Sequence, residues 1–98
     1  MSKKALVSRL RRQVARRFVD HYLRDKRCID CGLGNPICLE FDHVRGAKRF
    51  AVSYMISKGY STEVIAEEIK KCEVRCANCH RIITYERRKN LHVSKEKT

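Results

Sequence analysis

Cys76-Ala77-Asn78-Cys79-His80-Arg81 is the stretch that decides the fold of this chain. Its two cysteines are separated by two residues, and the same spacing occurs earlier in Cys28-Ile29-Asp30-Cys31-Gly32. Zinc is commonly held by four thiolates in a tetrahedron, so the two pairs together predict one structural zinc site. Residues 32–75 lie between the pairs, and the metal would therefore join segments that are distant in the sequence.

Disulfides and a redox-active CxxC are the other interpretations of these cysteines. The N-terminus Met1-Ser2-Lys3-Lys4 leads into an arginine-rich segment without an apolar signal core, which favours a reducing, cytoplasmic compartment. No thioredoxin-like βαβ pattern accompanies the pairs. Zinc is thus the favoured interpretation, with Cys72 as a less well spaced candidate ligand and Cys38 as an idle thiol.

The charge distribution predicts a polyanionic partner. The 98 residues carry a formal net charge of +12. Residues 1–27 hold ten Lys/Arg and two Asp/Glu, residues 28–80 hold seven of each, and residues 81–98 hold six and two. Both ends are therefore basic while the segment with the cysteines is balanced. Nucleic acid is the expected partner, whereas no apolar run is long enough for a membrane span.

Hydrophobic periodicity predicts a first helix over residues 5–26 and a final helix over 77–91. In the first helix an apolar row at intervals of four is expected to pack on the rest of the protein, while several arginines are expected to contact phosphate. That row contains Leu6, Leu10, Val14, Phe18 and Tyr22.

Between these helices the pattern predicts two short strands and two short helices. Ile37, Leu39 and Phe41 alternate with polar residues, which is typical of a half-buried strand over 37–42. Helices are expected over 49–58 and 61–71, the second with Ser61 or Thr62 as N-cap. Its buried side should contain Val64, Ile65 and Ile69, and its solvated face Glu67, Glu68, Lys70 and Lys71. A strand over 73–75 would pair with 37–42.

These elements predict a small, mostly helical α+β protein with a zinc-stapled ββα core. The chain is short enough for a single domain spanning 1–98. We divide it into a basic N-terminal helix at 1–27, the core at 28–91 and a polar, frayed tail at 92–98. Nothing in the sequence fixes an oligomeric state.

Two further segments carry a family resemblance. Leu39-Glu40-Phe41-Asp42-His43-Val44, followed by the stretch from Lys71 to Arg81, resembles the His-Asn-His (HNH) endonucleases in their small, zinc-bearing phage and bacterial form. The resemblance covers residues 28–88 and implies a ββα-metal core. It also implies a DNA endonuclease that leaves 5′-phosphate and 3′-hydroxyl ends.

The resemblance also implies roles for individual residues. Asp42 and His80 would bind one catalytic divalent ion, Mg²⁺ or Mn²⁺, and His43 would be the general base. Asn78 is the nearest candidate for the middle asparagine of the family motif, because residues 44–75 contain none. The residues that flank the motif are candidates for phosphate contacts, namely Arg45, Lys48, Arg81 and Arg87.

Two other function classes remain open at the level of sequence. A non-catalytic zinc-ribbon protein, which binds nucleic acid or has a regulatory role, would share the zinc site and the positive charge. In such a protein Asp42, His43 and His80 would have no catalytic role. An oxidoreductase would use the CxxC pairs themselves. The nuclease interpretation expects DNA as partner and no small-molecule substrate. It differs from the zinc ribbon in requiring Asp42 and His80 to converge on one ion.

Overall fold

The structure is a computed structural model that describes the backbone of residues 2–97 and the side chains of residues 2–90. The described residues form four α-helices and one two-stranded antiparallel sheet. The helices are α1 (Lys3–Leu23), α2 (Val52–Ser57), α3 (Thr62–Ile69) and α4 (Ala77–Lys97), and the strands are β1 (Leu39–His43) and β2 (Cys72–Cys76). The predicted small, mostly helical α+β class is confirmed. Within the described backbone, none of the helices is long and apolar enough to span a bilayer.

Helix α1 packs through a different row of residues from the predicted one. Its buried side chains are Ala15, Val19 and Leu23, with Phe18 and Tyr22 partly buried beside them. The prediction was wrong for the first half of the row, where Leu6, Leu10 and Val14 are 46%, 50% and 57% exposed. The physical reason is length, because a helix of 21 residues is about 31 Å long and α2 and α3 have only six and eight residues with which to cover it.

The sheet pairs the predicted segments with shifted boundaries. Pro36–Cys38 forms a 3₁₀ turn whose N-cap is Asn35, so β1 begins only at Leu39. Ile37 is 92% exposed, and its assignment to a half-buried strand was wrong. The register pairs Leu39 with Cys76 and His43 with Cys72. The ribbon therefore has a cysteine opposite each end of β1.

Helices α2 and α3 are shorter than predicted and supply the centre of the core. Ser61 is the N-cap of α3, and its hydroxyl accepts a hydrogen bond from the Val64 amide at 3.3 Å. Met55 and Ile65 are fully buried. Glu68 is also buried, at 2% exposure, which corrects its predicted place on a solvated face. It follows Ile65 by three residues and precedes Ile69, and this spacing places all three on one side of the helix.

Helix α4 begins directly after β2. Cys76 is the last residue of the strand, and Cys79 and His80 lie in the first turn of the helix. The helix continues to Lys97, past the predicted end at Leu91, so the backbone of the predicted frayed tail is helical up to that residue. Thr98 and the side chains of 91–97 lie outside the described residues. This direct strand-to-helix connection is what brings ligand-type residues together.

Candidate metal centres and catalytic cleft

The two cysteine pairs form one cluster. The Sγ atoms of Cys28, Cys31, Cys76 and Cys79 all lie within 4.8 Å of one another, and Cys31 and Cys76 are 3.8 Å apart. Four sulfurs about 2.3 Å from a central zinc ion are separated by about 3.8 Å in a tetrahedron. The donor set and its spacing therefore fit a structural zinc ion, which would join the segment after α1 to the junction of β2 and α4.

Backbone geometry builds this cluster from both pairs. Gly32 has a φ of +80°, and its amide donates to the Cys28 carbonyl at 2.9 Å, which closes the turn that carries the first pair. The amide of Ile29 donates to the Val74 carbonyl at 2.9 Å and attaches that turn to β2. On the other side the Cys79 amide points at the Cys76 sulfur, 3.4 Å away.

Thiol acidity in the cluster is uneven. Burial alone would raise the pKa of Cys28, but backbone hydrogen bonds from Cys76, Cys31 and Asp30 outweigh it and lower the pKa to about 6. Hydrogen bonding to Cys76 and Cys28 raises the pKa of Cys79 well above its ordinary value. The chain thus favours the Cys28 thiolate by itself, and a bound cation would favour the thiolate of Cys79 as well. Cys72 lies outside the cluster, and burial raises its pKa to about 11.

A second group of ligand-type residues lies between β1 and α4. The alternation of β1 points Glu40 and Asp42 to the same face of the strand, and both contact His80 there. The Nε2 atom of His80 is 3.5 Å from Oδ1 of Asp42, and its Nδ1 atom is 2.8 Å from Oε1 of Glu40. The structure therefore brings Asp42 and His80 together.

These two side chains offer a partial ligand set for a divalent ion. Two atoms 3.5 Å apart can both lie about 2.1 Å from one ion, and water or phosphate oxygens would complete the shell. Glu40 can accept the Nδ1 proton of His80 and leave Nε2 for the metal, an outer contact that metal-binding histidines commonly make. Among residues whose side chains are described, only the four cysteines form a cluster of three or more metal-type ligands.

Two arginines already neutralise Asp42. Arg87 from α4 donates to both carboxylate oxygens, at 2.9 and 3.0 Å, and Arg75 from β2 donates to Oδ2 at 2.6 Å. Burial alone would raise the pKa of Asp42, but Arg87, His80 and Arg75 outweigh it and lower the pKa. Arg75 also donates to Asp30 at 2.7 Å, so one buried guanidinium connects the turn of the first cysteine pair with Asp42.

His43 is held by a buried carboxylate. Its Nε2 atom lies 2.9 Å from Oε2 of Glu68, and the same oxygen accepts from the Arg49 amide at 2.9 Å. The other oxygen, Oε1, accepts from Lys71 Nζ at 3.0 Å. Burial alone would raise the pKa of Glu68, but these donors outweigh it and lower the pKa to about 2. An ionised carboxylate only accepts hydrogen bonds, so Nε2 of His43 carries a proton and Nδ1 is the basic nitrogen of the neutral ring.

One cavity joins the two histidines. It has a volume of about 690 Å³ and is bordered by α1, β1, α2 and the first turn of α4. Asp42 and His43 point to opposite faces of β1, but His43 and His80 both line this cavity. His43 is the last residue of β1. Lys48 and Arg16 add positive charge to the same walls.

The other predicted site residues lie in three different surroundings. Asn78 and Arg81 are exposed and line a separate cavity of about 620 Å³ beside Glu40 and His80. The structure shows no hydrogen bond from the described Asn78 side chain to His43, which instead contacts Glu68. Arg45 donates to the backbone carbonyls of Lys70 and Cys72, at 2.6 and 3.2 Å. Lys48 is exposed. Arg87 forms a hydrogen-bonded ion pair with Asp42.

Sequence reasoning missed three residues of this site, namely Glu40, Glu68 and Arg75. Helical spacing could have identified Glu68, since it shares a face with Ile65 and Ile69. Strand alternation could have identified Glu40, which is two residues before Asp42. Arg75 gives no such signal, because its contacts with Asp30 and Asp42 span 45 and 33 residues.

Comparison with known proteins leaves the site to be interpreted from its own chemistry. The chain matches no model of a known protein family, and neither curated proteins nor solved structures show significant similarity to it.

Proposed function

We propose that this protein is a metal-dependent endonuclease of the HNH type that hydrolyses phosphodiester bonds in DNA and leaves 5′-phosphate and 3′-hydroxyl ends. The observation that supports it best is the 3.5 Å approach of Asp42 in β1 and His80 in α4, since His80 lines the same cavity as His43. A carboxylate, an imidazole ligand and a second imidazole with a free basic nitrogen are the groups that this hydrolysis requires.

His43 is the general base in this proposal. With Nε2–H held by Glu68, the Nδ1 nitrogen accepts a proton from the water that attacks phosphorus. Imidazole is suited to this step because its ordinary pKa is close to neutral. Glu68 is a positioning residue, since it fixes both the tautomer and the orientation of the ring.

Asp42 and His80 would hold the catalytic Mg²⁺ or Mn²⁺ ion in this proposal. The bound ion supplies positive charge that stabilises the phosphate oxygens and the departing 3′ oxygen. Glu40 orients the His80 ring toward Asp42. Arg87 neutralises the Asp42 carboxylate in this structure, and its guanidinium becomes available for a phosphate oxygen when another cation replaces it.

Cleavage of supercoiled plasmid with added Mg²⁺ or Mn²⁺ tests the proposal. The protein should nick the plasmid, and His43→Ala should reduce the rate by at least about a hundredfold, since a general base typically contributes that much. His21→Ala is the matched control, because His21 is an exposed histidine of α1 outside the cavity. Equal cleavage by His43→Ala and the parent protein would contradict the assigned mechanism.

A non-catalytic zinc protein that binds nucleic acid is the second candidate. The observation that favours it is the pairing of Asp42 with both Arg75 and Arg87, which gives the carboxylate a structural role without any divalent ion. Electron paramagnetic resonance of Mn²⁺ separates the two functions. The nuclease should bind one Mn²⁺ ion and lose it in His80→Ala, whereas the non-catalytic protein should show no binding that depends on His80.

A further inference from the structure

Helix α1 carries three arginines on the side that adjoins the cleft, which is the cavity of about 690 Å³ that His43 and His80 line. Arg9, Arg12 and Arg16 recur at intervals of three and four, which places them on one face of the helix. They line a shallow cavity of about 390 Å³ together with Gln13 and Arg17 of the same helix and Ile56 and Ser57 from the end of α2. This face is therefore distinguished by position from the one that carries Arg11, which lines a groove beside Gly59 and Tyr60.

Arg16 belongs to two cavities at once. It lines the shallow one with Arg9 and Arg12, and it lines the cleft with His43, His80 and Lys48. The two cavities thus adjoin at Arg16, and positive charge continues from the cleft along α1. Asp20 also lines the cleft, one turn beyond Arg16, so the run of positive charge on this face ends there.

Within the part of the chain whose side chains are described, no carboxylate lies within ion-pair distance of Arg9, Arg12 or Arg16, and all three are exposed. Arg75 and Arg87, by contrast, are committed to carboxylates. Three unneutralised guanidinium groups in a row are suited to an external polyanion.

We propose that Arg9, Arg12 and Arg16 bind successive phosphates of one strand of duplex DNA as it leaves the cleft along α1. This inference rests on the proposed function for the identity of the polyanion. From Arg9 to Arg16 the helix rises about 10.5 Å. One strand of a duplex presents a phosphate about every 3.4 Å along its axis, so this length spans about three phosphate intervals, with one to two intervals between neighbouring arginines. The substrate then extends along α1 on one side of the cut.

Two double variants of the full-length protein test the row against the rest of the helix. Arg12→Gln/Arg16→Gln removes two charges from the proposed face. Lys4→Gln/Arg11→Gln removes the same charge from the same helix, but Arg11 lines a different groove, beside Gly59 and Tyr60. Binding to a fluorescent duplex of about 30 base pairs is measured by fluorescence anisotropy over a range of salt concentrations. Divalent ions are left out so that the duplex is not cleaved during the measurement.

Loss of two phosphate contacts should reduce the slope of log affinity against log salt by about 1.8 for Arg12→Gln/Arg16→Gln. Between about 50 and 200 mM salt the parent protein should then lose about 12-fold more affinity than this variant. Lys4→Gln/Arg11→Gln should keep the parental slope. Arg12→Lys/Arg16→Lys should restore most of the slope, because it restores the charge.

Equal slopes for the two glutamine variants, or no measurable DNA binding by the parent protein, would overturn the proposed row. Failure of the proposed function gives a different result. If plasmid nicking is absent but the slopes differ as expected, the arginine row is a DNA-binding surface of a non-catalytic protein. If nicking depends on His43 but the slopes are equal, the enzyme holds DNA by another surface.

Discussion

Replacement of Glu68 by glutamine is the most direct perturbation of the site, because it removes one charge and almost no volume. The carboxylate accepts from three groups, namely the Arg49 amide, Lys71 Nζ and His43 Nε2. A hydrogen bond to a charged group contributes about 1.5 to 3 kcal/mol and a neutral one about 0.5 to 1.5 kcal/mol, so each bond loses about 1 kcal/mol. We expect Glu68→Gln to lower the free energy of unfolding by about 3 kcal/mol.

Glu67→Gln is the matched control. Glu67 is the neighbouring residue of the same helix, but its side chain is 72% exposed and pairs only with Lys70, which is 70% exposed. Such a pair contributes less than about 1 kcal/mol. Urea unfolding of the zinc-loaded proteins, followed by circular dichroism, gives both values. Equal destabilisation by the two variants would refute the interpretation of Glu68 as a buried acceptor.

The pH dependence of the difference between parent and Glu68→Gln provides a second check. The pKa of Glu68 is lowered in the folded protein from 4.5 to about 2, so its stabilising contribution is complete above 4.5 and is lost as the pH falls toward 2. The difference should therefore shrink as the pH falls below about 4.5. Histidine ¹⁵N spectra of the parent protein should show the Nε2–H tautomer for His43, and an Nδ1–H tautomer would contradict the contact.

Three other perturbations have defined outcomes. Removal of zinc by a strong chelator should unfold the domain, because closing a loop of 44 residues through the metal is part of folding, and an unchanged far-UV spectrum and melting curve would contradict it. Arg75→Met should lower the free energy of unfolding by about 3 to 5 kcal/mol in urea unfolding, since the buried Asp42 carboxylate loses one of its two arginine partners. A loss below about 1 kcal/mol would argue against a stabilising role of the Arg75–Asp42 pair. Arg87→Gln should raise the affinity for Mn²⁺ in electron paramagnetic resonance titrations, because it removes the guanidinium that competes for Asp42. Arg88→Gln is the control and should leave the affinity unchanged. Weaker Mn²⁺ binding by Arg87→Gln would show that Arg87 assists the ion.

Local spacing in the sequence was sufficient for the elements of the core and for the cysteine cluster. Two CxxC pairs identify four sulfurs that can surround one ion without knowledge of the path between them. Strand alternation and helical spacing are also local, which is why the antiparallel ribbon and the four helices were predicted, although their boundaries shifted by a few residues. Asp42 and His80 were paired through the family resemblance, and the structure brings them to 3.5 Å.

Only the tertiary structure decided which partners the charged residues have. The Arg75 contact with Asp42 and the Glu68 contact with His43 span 33 and 25 residues, and no periodicity connects such positions. It also decided how far along α1 the apolar row is covered, because α2 and α3 are too short to reach its first half. The spacing of residues along the sequence determines which neighbouring side chains share one face of a helix or strand. Contacts between residues distant in the sequence depend on how those faces pack against each other.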